Sequence, residues 1–183
     1  MNVMLNRQIK YIIQYIKSPK EFGTICPASK FLCNKMIRSI KTNDVYNIAE
    51  LGSADGVLTK EILIKIPNQI KLDAYEINNA FYSDLYQLTK KHKNLSVFFS
   101  SASSLKNRYD VIFSCLPFLS FPIKVRISII NNIYDHLNDG GVFILYQYSN
   151  KLEKILSKRF YFSRELVLMN VPPAYVYRCV RKC

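Results

Sequence analysis

The chain has 183 residues, 49% hydrophobic and 21% charged, which suits one domain with a single substantial core. Five glycines and no tryptophan exclude a collagen-like or low-complexity chain. The formal charge of +13 implies a polyanionic partner, a nucleic acid or an anionic membrane surface.

That charge is uneven. Residues 1–41 carry Arg7, Lys10, Lys17, Lys20, Lys30, Lys35, Arg38 and Lys41 against Glu21 alone. Within them, "LNRQIKYIIQYIKSPK" places Leu5, Ile9, Ile12, Ile13 and Ile16 on one helical face and Arg7, Lys10, Gln14 and Lys17 on the other, and Pro19 ends the run. A basic amphipathic helix reads as an interfacial anchor on anionic lipid, with Arg7, Lys10, Ile12, Ile13, Ile16 and Lys17 in contact; the isoleucine face could also dock on the domain. No stretch approaches the roughly 18–20 apolar residues that span a bilayer. The first residues lack the layout of a secretory signal, so the expectation is a cytoplasmic protein. The cysteines at 26, 33, 115, 179 and 183 form no Cys-x-x-Cys pair, and His92 and His136 stand far apart. Reduced structural thiols and no metal site are expected.

From about Val45 two textures alternate. "VYNIAELG", "IKLDAYEI", "LSVFFSS" and "YDVIFSCL" read as strands, while "VLTKEILIKI", "NAFYSDLYQLTKK" and "KVRISIINNIYDHL" have helical spacing. Asn138-Asp139-Gly140-Gly141 reads as a helix-stop turn before the strand "GVFILYQYS". Strands alternating with helices predict a parallel sheet with right-handed crossovers. After "NKLEKILSKRF" two strand-like runs are joined by Asn170-Val171-Pro172-Pro173, too short for a crossover helix, so they must pair antiparallel. The prediction is a single α/β domain: a basic helical segment over residues 1–41, then, over 45–183, five parallel strands and an antiparallel hairpin at one edge. Such a seven-stranded, Rossmann-like sheet resembles the class I methyltransferases.

Gly52 and Gly56 lie between the first strand and the next helix, where ligands bind an open α/β sheet and a backbone must approach them closely. The same spacing also serves helix–strand packing. Glu76 ends the second strand, twenty-four residues after Gly52, placed to accept ribose hydroxyls. "G-S-A-D-G" is not a dinucleotide fingerprint; with Glu50 ahead it resembles motif I of S-adenosylmethionine-dependent methyltransferases. That resemblance implies S-adenosyl-L-methionine as cofactor, bound by Glu50, Gly52, Ser53, Asp55, Gly56, Glu76 and Ile77. In "FSSASSL" the acid usual near the adenine is replaced by Ser101, followed by Ala102.

"SCLPFLSFP" then follows the fourth strand, an apolar loop where the methyl acceptor should arrive. The Asn-Leu-Pro-aromatic motif of ribosomal RNA adenine methyltransferases has Ser114 in its first slot here, which makes nucleic acid the less favoured acceptor. The chain more closely resembles the bacterial phospholipid N-methyltransferase family, in "FGTICPASKFLCNKMI", "ELGSADGVLTKEIL", "SCLPFLSFP" and "NVPPAYVYRCVRK". This resemblance implies methylation of a phosphatidylethanolamine headgroup by a peripheral protein at the inner face of the cytoplasmic membrane. Ser114, Leu116 and Pro117 would shape the acceptor site, and Tyr148 would face the headgroup, with Tyr146, Tyr175 and Tyr177 as further aromatic faces for its ammonium.

Overall fold

The computed structural model describes residues 28–38, 40 and 44–182; the amphipathic run from Leu5 to Lys17, with Cys26 and Cys183, lies outside them. Helix α1 (Lys30–Ile37) opens on Ser29, whose hydroxyl accepts from the Leu32 amide, an N-cap that satisfies one of the first-turn donors. Its Leu32, Cys33, Met36 and Ile37 are buried. This part of the basic amino-terminal segment therefore belongs to the domain's own packing.

Strands β1 (Asn47–Leu51), β2 (Lys71–Tyr75), β3 (Leu95–Phe98), β4 (Tyr109–Ser114), β5 (Leu137–Gln147), β6 (Phe160–Val167) and β7 (Ala174–Arg181) form one seven-stranded sheet in the order β3-β2-β1-β4-β5-β7-β6. The pairs from β3 across to β5 are parallel, and β7 runs antiparallel to both β5 and β6. The crossovers are α2 (Val57–Lys65), α3 (Tyr82–Lys91, entered through a 3₁₀ turn at Asn79–Phe81) and α4 (Ile123–His136), with a short α5 (Glu153–Leu156) before the hairpin. The expected parallel strands and closing hairpin are both present.

Each face of the sheet is covered. On one, Leu32 and Met36 of α1, Leu58 and Ile62 of α2 and Leu85 of α3 pack against Ile48, Leu72 and Phe113. On the other, Val125, Ile129, Ile130 and Ile133 of α4 pack with Leu152, Leu156 and Phe160 against Leu51, Ile112 and Phe143. Near-continuous apolar strands such as "NIAEL" and "YDVIF" are what burial on both faces demands.

Two local expectations are corrected. Asn138–Gly141 does not separate α4 from the last parallel strand: β5 starts at Leu137 and incorporates it opposite a register shift between Tyr109 and Val111. The Asn138 side chain donates from Nδ2 to Asp110 Oδ1 at 2.7 Å, drawing the segment into the ladder, and Gly140 takes φ 75° there. The strand β6 also begins at Phe160, ahead of "RELV", because Phe160 is a core residue packed against the rings of Phe143 and Tyr134.

Candidate functional site

The register places Leu51 beside Tyr75 on one side and Ser114 on the other, so the chain leaving β1 runs out between the ends of β2 and β4. It turns at once. The Gly52 amide donates to Tyr75 O at 2.8 Å, and Gly52, Ala54 and Gly56 all take positive φ (80°, 45° and 77°). A Cβ on Gly52 would stand 2.9 Å from Leu116 Cδ2, and one on Gly56 would stand 2.8 Å from Leu88 Cδ1. These glycines are fixed by close approach as well as by conformation. Ala54 lacks that excuse, and its left-handed backbone costs on the order of 1–2 kcal/mol. Its amide donates to the Glu76 carboxylate at 2.9 Å, a charge-assisted bond of about 1.5–3 kcal/mol that offsets the strain.

Glu76 binds more than that one amide. Its Oε1 accepts from the amides of Ile77 and Asn78, both at 2.8 Å. With Ala54 on Oε2, three of roughly four acceptor positions are taken by backbone. The carboxylate thus ties the glycine turn to the end of β2 and retains capacity for about one further strong donor.

Glu50 lies under the turn with 0% exposure. Thr59 of α2 donates to its Oε2 at 2.5 Å, while Oε1 has no partner among the described residues. Burial pushes this carboxyl up to about 7, tempered by Thr59 and by the nearby Ser53 hydroxyl, and raised further by Glu76 and Asp55. Ser53 stands close without meeting hydrogen-bond geometry, and its Oγ is likewise buried without a partner there.

Above the turn lies a cavity of about 350 Å³, lined by Gly52, Asp55, Tyr75, Glu76, Ile77, Phe81, Ser100, Ser101, Ala102, Cys115, Leu116, Pro117, Phe121 and Ile129 among others. That is within the usual range for a small-molecule site. Of the residues singled out in the sequence, the structure gathers Gly52, Asp55, Glu76, Ile77, Ser101, Ala102, Leu116 and Pro117 in its wall. Glu50, Ser53, Gly56 and Ser114 stand behind that wall. Among the described residues, the lining contains two carboxylates and no lysine, arginine or histidine. Burial raises the Tyr75 phenol and holds the Cys115 thiol far above its usual value, so both stay protonated at neutral pH.

At the end of β3, Ser101 and Ser103 share a 2.8 Å hydrogen bond, and Ser100 Oγ is buried without a partner among the described residues. Beneath them a polar relay supports the floor. Tyr75 and Tyr109 join hydroxyl to hydroxyl at 2.8 Å, and Tyr109 donates to Asp73, which also accepts from Asn107.

The apolar loop after β4 is held from below and above. Ser114 Oγ accepts from the Leu116 amide at 3.2 Å, and Gln147 Nε2 donates to Leu116 O at 3.0 Å. Arg126 of α4 donates from Nε to Phe121 O and from a terminal nitrogen to Leu119 O, both at 2.7 Å. Phe118 is fully buried and meets Phe121 edge-on at 6.4 Å. Cys115, Leu116, Pro117 and Phe121 are left facing the cavity. So the loop roofs the pocket and is rigidly built to do so.

Tyr148 stands outside the cavity wall, 37% exposed and edge-on to Tyr146 at 5.8 Å. Tyr177 donates to Glu153 at 3.0 Å, burial pushing its phenol up to about 12, and Tyr175 lies under the Arg164 guanidinium at 4.9 Å. Neither hairpin tyrosine lines the cavity. Sequence reading missed Tyr75, Phe81, Ser100 and Phe121 in the wall, and Arg126 and Gln147 behind the roof. The first four sit within a few residues of positions it did single out, whereas nothing in the sequence marks the last two.

No protein-family model matches the chain, and no curated protein does. Solved structures do. The N-methyltransferase NodS from Bradyrhizobium japonicum WM9, in complex with S-adenosyl-L-homocysteine, superposes with TM-score 0.75 at 15% identity, covering 92% of this chain and 98% of that one. Magnesium protoporphyrin IX methyltransferase (ChlM) from Synechocystis PCC 6803 with bound S-adenosylmethionine gives 0.69 at 10% identity, covering 96% and 97%. Precorrin-6y C5,15-methyltransferase from Geobacter metallireducens GS-15 gives 0.69 at 15%, covering 88% and 95%. The chain therefore has the class I methyltransferase fold.

Proposed function

We propose that this chain is an S-adenosylmethionine-dependent N-methyltransferase whose acceptor is the headgroup amine of a membrane phospholipid, working as a peripheral protein on the inner face of the cytoplasmic membrane. The observation that carries the reading is the composition of one cavity: a glycine turn and two carboxylates at one end, an apolar roof with no basic residue at the other.

The residues fit the cofactor. Gly52 brings bare backbone to the cavity wall, where a Cβ would collide with Leu116, and three buried polar atoms, Glu50 Oε1, Ser53 Oγ and Ser100 Oγ, have no partner among the described residues. Glu50 and Asp55 suit an ammonium, the first-turn amides of α2 a carboxylate, and the spare acceptor capacity of Glu76 a ribose hydroxyl. Ser101 and Ala102 border the adenine side, where hydroxyls replace the customary acid. When bound, the cofactor supplies an electrophilic methyl on a sulfonium. An in-line displacement at that carbon asks the protein chiefly for alignment and exclusion of water. Leu116, Pro117 and Phe121 supply the dry wall, and Ser114, Gln147 and Arg126 hold it still. Among the described residues the lining has carboxylates and no basic side chain, which suits a cationic amine inside the cavity, with the headgroup phosphate outside it.

The test uses full-length protein and methyl-labelled cofactor with phosphatidylethanolamine vesicles and RNA together, followed by organic and aqueous extraction. Label in the organic phase supports the reading. Label in RNA, falling steeply with salt, would replace it with a nucleic-acid methyltransferase. Vesicle binding without label would make the chain a non-catalytic lipid-binding protein.

A further inference from the structure

The end of β6 and the loop that leads to β7 expose a run of apolar side chains. Leu166 is 46% exposed, Leu168 70%, Met169 65% and Val171 81%. Single exposed hydrophobics need no explanation, but four within six residues on one hairpin tip form a patch that water does not favour. The tip is also held in shape. Asn170, buried among them, accepts from the Ser29 amide at 3.1 Å and donates to Pro172 O at 2.7 Å. These bonds fasten it to the start of α1, so the patch is preorganised.

The charge beside it is positive. Glu165, the acid nearest the tip, is paired with Lys35, and Lys30 stands exposed beside the fastening point. The chain as a whole carries +13. An apolar tip beside an exposed lysine, on so basic a chain, is suited to an anionic bilayer, where apolar side chains enter the headgroup boundary and basic ones meet lipid phosphates.

The topology gives the tip its place. Because β6 runs with β1 to β5, its carboxyl end emerges on the same edge of the sheet as the cavity. From β4, which carries the roof loop, to β6 is three strand spacings, about 14 Å. One flat surface can touch both.

We infer that the β6–β7 hairpin tip, through Leu168, Met169 and Val171, is a wedge that inserts into an anionic phospholipid surface and seats the cavity mouth against it. This deepens the lipid reading above and rests on it for its purpose, although insertion is measured separately from transfer.

Since the chain has no tryptophan, Met169→Trp introduces a single reporter at the tip. With vesicles of phosphatidylethanolamine and phosphatidylglycerol, its emission should shift to the blue and be quenched by brominated acyl chains. Ile64→Trp, at an exposed site on α2, should respond to neither. In otherwise unaltered protein, Leu168→Ser with Met169→Ser should weaken vesicle partition on the order of ten- to a hundredfold, and Ile64→Ser should not. The inference is overturned if the tip reporter stays unshifted or if both reporters shift alike. It is equally overturned if the tip reporter is already blue-shifted without lipid, because another segment or a second copy then covers it. Methyl label is counted in the same samples. Transfer without insertion sinks the wedge alone, whereas insertion without transfer sinks the lipid acceptor and leaves the wedge standing.

Discussion

Glu50 is the residue whose replacement speaks most directly to how this site is built. A carboxyl with no exposed surface, one hydrogen bond from Thr59 and an unpartnered Oε1 is held protonated by burial up to about pH 7, against an ordinary value of about 4.5. In the unfolded chain it ionises near its ordinary value. Between those two values the folded state binds more protons, so stability falls as pH rises, by about 1.4 kcal/mol per pH unit. The full loss is about 3 kcal/mol, complete once pH passes the folded value. Glu50→Gln keeps the shape and the acceptor for Thr59 and cannot ionise. Urea unfolding of both proteins from pH 4.5 to 8.5, without cofactor, should show the variant gaining on the wild type by roughly 3 kcal/mol across the lower part of that range and then holding level. With cofactor the order reverses in function: an ammonium beside the ionised carboxylate recovers what burial costs, so wild-type affinity rises with pH and that of the variant does not. Parallel stability profiles would refute the account of Glu50 as a strained buried acid.

Three other outcomes are expected. Gly52→Ala should destabilise by about 1–2 kcal/mol in thermal unfolding, from its left-handed backbone and the Leu116 clash, and should weaken S-adenosylhomocysteine binding about tenfold or more by calorimetry. Arg126→Met, which removes both bonds to the roof carbonyls, should cost about 1–3 kcal/mol and slow transfer while leaving cofactor affinity nearly unchanged in the same titration. On the proposed reading, in which Tyr148 meets the headgroup from outside the cavity wall, Tyr148→Phe should leave cofactor affinity unchanged and slow transfer to lipid amine; an unaltered rate removes it from the acceptor side.

What the sequence makes legible is whatever the backbone enforces locally. Gly52, Gly56 and Glu76 could be read because a strand end must turn and an acid at the next strand end must face that turn. The hairpin could be read because Asn170–Pro173 leaves no room for a crossover. Arg126 and Gln147 were invisible for the opposite reason: each acts on a carbonyl in the roof loop, and a backbone carbonyl has no sequence signature. The Asp73–Tyr109–Tyr75 relay is hidden likewise, joining three positions that read as strand core. Asn138–Gly141 misled because turn residues were absorbed by a partner, Asp110, twenty-eight positions away.

The same cavity bears on how an amine could lose its proton there. A lysine-like ammonium has a pKa of ~10.4 in water, so near pH 7 only about four molecules in ten thousand are nucleophiles. A general base is one remedy, yet the wall offers little: Tyr75 and Cys115 are held protonated, and Glu76 is occupied by three amides. Asp55 alone remains among the described lining residues, at the cofactor end. Desolvation is the other remedy, since burial in an apolar site disfavours the charged amine and drives its proton to water before transfer. On the proposed reading the roof of Leu116, Pro117 and Phe121 does that work, and the transfer rate should climb with pH well beyond the titration of Glu50. A rate whose pH dependence persists in Glu50→Gln and is lost in Asp55→Asn would show a carboxylate base instead.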